Sequence, residues 1–144
     1  MRFEAGEFIL DVPGDWEQIP GDDAEQLQFH SAGQGASIVV SWLFAEVPRD
    51  KMLEAAQAVL ASRISSLDQL GAHRLDESFV ELLPDEPMAH AKEIGQTGAG
   101  IYRFEGWVTE AKFINLWVGV EGDDVGRAGG IFDSVFGGFS FYVP

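Results

Sequence analysis

Residues 36–44, Ala-Ser-Ile-Val-Val-Ser-Trp-Leu-Phe, run nine positions without a charge, a glycine or a proline. Such a run predicts a central β-strand, in which alternate side chains leave on opposite faces. Ile38, Val40, Trp42 and Phe44 then share one face, and Ser37, Val39, Ser41 and Leu43 the other. A half-solvated antiparallel strand carries charged groups on its outer face, whereas here that face offers only hydroxyls and aliphatics. The large-residue face is the natural seat of the protein's own core. The Ser37, Val39, Ser41 face is left for a helix, a subunit or a guest.

The pattern on either side supplies the other elements. A first strand is predicted over 8–12, stopped by Pro13 and the turn residues Gly14 and Asp15, with Trp16 as an aromatic plug beyond them. After an acidic turn region at 19–24, residues 26–31 alternate Gln26, Gln28 and His30 against Leu27 and Phe29. This half-polar strand and the short Gly-rich loop at 32–35 predict an antiparallel hairpin with the central strand. Pro48 ends that strand, and Asp50 is the candidate N-cap of a helix over 50–68. Its apolar stripe, Leu53, Ala56, Leu60, Ile64 and Leu67, has the spacing of a sheet-packing face. A second row, Ala58, Ser62 and Ser66, is either low-cost helix surface or a small-residue face that lets another backbone approach closely.

Gly71 breaks the helix. Strands are predicted over 73–83, more weakly over 89–94, then over 101–110 and 112–121, with a Gly-rich loop at 95–100 and the last two strands rich in aromatics. A short Gly-interrupted helix over 123–135 and a tail over 139–143 that packs or adds an edge complete the chain. The expected architecture is α+β, one domain over 1–144. It has an antiparallel sheet of six or seven strands, a long helix after strand three and a short C-terminal helix.

Composition narrows what such a sheet is for. A chain of 144 residues can bury a substantial core, about 68–70% of its unfolded surface. A formal net charge of −15 repels phosphate backbones and anionic membrane surfaces, which argues against nucleic acid as a partner. With no cysteine there is no disulfide and no thiolate chemistry. Acids and Pro13 interrupt the first residues where a signal peptide needs an apolar run, and no apolar stretch reaches the length of a membrane span. The expected location is therefore the cytoplasm.

Candidate chemistry is thin. The Gly-rich loop at 95–100 lacks a following Lys and leads into a strand, so a hairpin loop is expected rather than a phosphate cradle. His30, His73 and His90 are far apart without metal-ligand spacing, and the acidic loops around Asp22, Asp23 and Glu25, Asp85 and Glu86, and Glu121, Asp123 and Asp124 match no calcium-loop pattern. No Gly-Xaa-Ser-Xaa-Gly elbow exists, and Ser37 and Ser41 sit within a strand. The expectation is no enzyme, no metal and no cofactor. What stands out is apolar and aromatic strand surface in a strongly acidic chain, which points to a sheet face that is covered or that binds a guest.

Phe-Ile-Leu-Asp-Val-Pro-Gly-Asp-Trp at 8–16, Ser-Ile-Val-Val-Ser at 37–41, Gly-Trp-Val-Thr at 106–109, Lys-Phe-Ile-Asn-Leu-Trp-Val at 112–118 and the closing Phe-Ser-Phe at 139–141 resemble the DcrB-like, PsbP-like α/β proteins. More narrowly, they resemble the effector-associated (Eag) chaperones of type VI secretion. The resemblance spans essentially the whole chain and its motifs are structural rather than catalytic. It implies a cytoplasmic homodimer whose sheets form an apolar cradle for the hydrophobic N-terminal transmembrane helices of an effector, held until the effector is loaded on the secretion spike. Carried onto this chain, the cradle positions are Ser37, Val39 and Ser41, with Ser62 on the small-residue helix row. Two other classes stay open: a carrier that closes the same face over a small apolar ligand, and a protein-binding regulator that uses the acidic loops.

Overall fold

The computed structural model describes residues 1–21 and 23–142, with the side chain of Leu70 excepted. The acidic-loop residue Asp22 and the tail residue Val143 lie outside the described residues. In chain order the elements are β1 (Arg2–Glu4), β2 (Phe8–Asp11), β3 (Glu17–Ile19), β4 (Gln26–Ser31), β5 (Ala36–Phe44), α1 (Met52–Leu70), β6 (His73–Leu82), β7 (Met88–Thr97), β8 (Gly100–Thr109), β9 (Lys112–Glu121), α2 (Val125–Gly137) and β10 (Phe139–Phe141).

Seven strands form one antiparallel sheet in the order β3-β4-β5-β9-β8-β7-β6, and β1-β2-β10 form a second of three strands. The predicted hairpin of β4 with β5 is present, with Phe29 opposite Ile38 and Leu27 opposite Val40. Gly35, at φ 60°, supplies the left-handed backbone of its turn. On its other edge β5 pairs with β9 over nine residue pairs, so the uncharged run lies inside the sheet. An interior strand leaves no ladder edge in water, which is why it tolerates the absence of charge.

Several expectations are corrected. Of the three strands expected before the long helix, only the two at Gln26–Ser31 and Ala36–Phe44 belong to the seven-stranded sheet. The first pairs instead with β1 and β10 across the opposite face. Phe8 and Leu10 are the reason: both are fully buried against Phe29, Ile38 and Val40, so this strand serves as a lid on the core rather than as a rung of the ladder. Phe44, expected in the core, is 57% exposed because β5 outruns β4 at that end. Asp50 does not cap α1; it lies in a 3-10 turn (Arg49–Lys51), and no side chain caps either start. Among the described side chains of α1 the buried ones are Met52, Ala56 and Leu60, with Leu53 only half-buried. The weak strand at 89–94 is a full ten-residue strand, and the Gly-rich loop contracts to the turn after Thr97. Gly95 takes part in the ladder opposite Leu75 and Tyr102, close to the Tyr102 side chain.

Two apolar clusters result, one on each face of the large sheet. On one face Ile38, Val40, Ile114, Leu116 and Val118 meet Phe8 and Leu10 of the small sheet and Ala128, Phe132 and Val135 of α2. Trp16 joins this cluster with its indole N–H donating to the Pro13 carbonyl at 3.0 Å, and Asp124 caps α2 by accepting from the Arg127 amide at 3.0 Å. On the other face Met52, Ala56 and Leu60 of α1 pack on Ala89, Ala91, Phe104 and Val108. α1 therefore lies over β6, β7 and β8, and among the described residues no helix covers the same face of β9, β5 and β4.

Candidate functional site

The pleat decides which residues the missing cover exposes. β9 turns Phe113, Asn115, Trp117 and Gly119 toward the α1 side, and β5 sets Leu43, Ser41, Val39 and Ser37 opposite them in that order. All eight are half-buried or exposed, whereas their neighbours on the other face, such as Ile38, Val40, Ile114 and Val118, are fully buried. A period of two thus divides one pair of strands into a sealed face and an accessible one.

Between this accessible face and α1 runs a groove. Its larger part is a cavity of about 830 Å³, floored by Val39, Ser41, Phe113 and Trp117 and walled by Ala58 and Ser62. Its smaller part, about 530 Å³, is lined by Ser37, Ser66, Leu67, Tyr102 and Gly119 among others. Ser62, Arg63 and Trp117 border both. Gly119 makes room for the Trp117 indole, which lies where a Cβ at position 119 would stand.

Ser37, Val39, Ser41 and Ser62 are therefore brought together around one groove, although the helix residue is distant in the chain from the other three. The row Ala58, Ser62, Ser66 is its helix wall. Ser37 is engaged across the strands, its hydroxyl 3.0 Å from His30 Nδ1, while His30 and Gln26 carry the face onward along β4. Sequence reasoning noted Phe113 and Trp117 only as strand aromatics; their alternation with Asn115 and Gly119 was the signal that they share one face. Tyr102 was likewise noted only as a strand aromatic, and Arg63 and Glu93 were missed altogether.

Those three form the polar element of the groove. Glu93 is fully buried, and its carboxylate accepts from the Tyr102 hydroxyl at 2.6 Å and from Arg63 Nε at 3.3 Å. The Arg63 guanidinium lies 3.9 Å from the centre of the Phe104 ring. Burial, and then the bond to Glu93, raise the Tyr102 phenol well above its ordinary value of 10.0, so it stays a donor.

A second polar cluster lies on the opposite face. His90 is held between Glu81, at 3.0 Å, and Glu105, at 2.6 Å, with Arg103 donating to Glu105 at 2.6 Å and Trp107 stacked on the imidazole. Burial works against a charged ring, but the two carboxylates outweigh it and place the His90 pKa above the ordinary 6.5. Burial likewise works against the Glu105 anion, yet His90 and Arg103 hold its pKa below 4.5. Arg103, Glu105 and Trp107 also line a cavity of about 540 Å³ beside β10.

No protein-family model matches the chain, and no curated protein matches it in sequence. Among solved structures, that of cyanobacterial PsbP (CyanoP) from Synechocystis sp. PCC 6803 matches with a TM-score of 0.72 at 14% identity, covering 99% of this chain and 92% of that one. A Bacteroides thetaiotaomicron protein matches at 13% identity and a TM-score of 0.49, over 94% of this chain and 45% of that chain. LpqN, a Mycobacterium tuberculosis protein involved in cell envelope biogenesis, matches at 11% and 0.49, over 99% and 90%. The likeness to CyanoP establishes a PsbP-like fold. Among the described residues no helix is long and apolar enough to cross a membrane.

Proposed function

We propose that this protein is a non-enzymatic, cytoplasmic chaperone of the Eag type, which shields the hydrophobic N-terminal transmembrane helices of a type VI secretion effector before loading on the spike. The observation that carries the reading is the groove beside α1, where Val39, Phe113 and Trp117 stay accessible while Ile38, Val40, Ile114 and Val118, on the other face of the same two strands, are fully buried. An α-helix with side chains is about 10–12 Å across, so a space of about 830 Å³ corresponds to roughly two helical turns. Ala58 and Ser62 on the wall and Ser41 on the floor are small, which permits close helix approach, and the two serine hydroxyls can bond a guest's polar groups. One groove of this size covers part of a spanning helix. A homodimer that joins two such grooves covers the rest.

A carrier of a small apolar ligand is a second reading, favoured by the adjoining cavity of about 530 Å³, which is within the usual range of ligand sites. The two are separated by purifying the protein without detergent, recording its native mass, and then adding a synthetic effector N-terminal segment. The chaperone reading expects no bound small mass and a complex with the segment that tolerates salt. A bound small molecule that the segment fails to displace would refute it.

A further inference from the structure

Arg63 stands where the two parts of the groove meet, and its surroundings hold it still. Nε is engaged by the fully buried Glu93, whose other oxygen takes the Tyr102 hydroxyl, and the guanidinium plane rests on Phe104. Among the described residues no hydrogen-bond partner meets its two terminal nitrogens, while the residue borders both cavities. A guanidinium cannot shed its charge and carries five N–H donors in a fixed fork. An entirely apolar segment filling the groove would strip water from those donors and return nothing, which is unfavourable.

We infer, on the premise that the groove holds an apolar guest segment, that Arg63 is its specificity-determining residue: the favoured guest presents one neutral hydrogen-bond acceptor, a side-chain amide or hydroxyl oxygen, to this guanidinium. The acceptor is neutral because Glu93 already balances the Arg63 charge from beneath and Glu121 lines the smaller cavity. A guest carboxylate would add a negative charge beside a buried one, in a chain whose net charge is −15. Ser62, the neighbouring residue on α1, borders the same junction and offers a hydroxyl that can donate to a remaining lone pair or accept from a guest N–H.

The test uses Leu/Ala helical peptides of about twenty residues, the length of a membrane span, in mild detergent. One peptide is wholly apolar, a series moves a single Asn through it, and a last peptide carries Asp at the best Asn position. Wild-type protein should bind the best Asn peptide about tenfold more tightly than the apolar one, and the Asp peptide no better than the apolar one. The double variant Arg63→Met/Glu93→Gln, which removes both charges and keeps a partner for Tyr102, should bind the Asn and apolar peptides equally. Equal binding of all peptides by wild-type protein overturns the selection and leaves the groove assignment standing. Binding of none removes both, and a preference for Asp overturns the neutral acceptor. If the double variant does not fold, the ranking of peptides by wild-type protein decides by itself.

Discussion

Val39 and Val40 are adjacent residues of similar size on opposite faces of β5, and substituting glutamine at each separates guest binding from folding. Val40 is fully buried between Leu27 and Leu116, its register partners on β4 and β9. An amide there loses its water without a partner and overfills a packed site, at a cost of about 3–5 kcal/mol, a large part of the 5–15 kcal/mol that typically holds a domain together. Val39 is half-buried and faces the groove opposite Trp117. Its substitution should change folding stability by no more than about 1 kcal/mol. Binding is affected differently. A guest that completes the burial of Val39 recovers roughly half of the ~2 kcal/mol available to a valine, and the glutamine amide adds about 1–3 kcal/mol of unpaired desolvation. The expected loss is about 2–4 kcal/mol, or roughly 30- to 700-fold in Kd, enough to abolish co-purification with an effector segment. Urea unfolding followed by tryptophan fluorescence gives the first quantity and peptide titration the second. A folded Val39→Gln protein that binds as wild type would refute the groove assignment. A Val39→Gln protein destabilised as much as Val40→Gln would refute the division of faces.

Gly119→Ala should lift the Trp117 indole from its seat and obstruct the passage between the two cavities. It should shift Trp117 emission and weaken guest binding about tenfold while costing the fold about 1–3 kcal/mol; unchanged emission would count against the contact. The His90 cluster has a signed pH dependence. Because the folded pKa lies above the ordinary 6.5, the stability that the ring contributes is fully present below about 6.5 and is lost as pH rises through the folded value. Wild type should therefore lose stability with rising pH relative to His90→Gln, and a gap between them that widened toward alkaline pH would contradict the arrangement. Lys112 is buried with its ammonium 2.8 Å from Glu7, so Glu7→Ala strands a charge. The cost should be about 1–3 kcal/mol, less than for a sealed pair because Glu7 reaches solvent, and Glu7→Leu with Lys112→Met should recover most of it in thermal melts.

The chain alone determined the elements whose signals are local. An uncharged run over 36–44 between Gly35 and the breaker Pro48 beyond it, a 3.6-residue apolar stripe and the breaker at Gly71 require only neighbours in sequence to act, so β4, β5, α1 and β9 were legible. So was the division of β5 into two faces, since a period of two follows from backbone geometry. Which way Phe8 and Leu10 would turn was not legible, because a short apolar strand fits a ladder or a lid equally well and only the packing against Phe29 and Ile38 chooses. The groove also belongs to the tertiary structure. It exists because α1 lies over β6, β7 and β8 and stops short of β9 and β5, a lateral placement decided by the seats that Ala89, Ala91 and Phe104 give to Ala56 and Leu60. That same placement joins Arg63 to Glu93, thirty residues apart in the chain, and no pattern of spacing along a sequence encodes such a meeting.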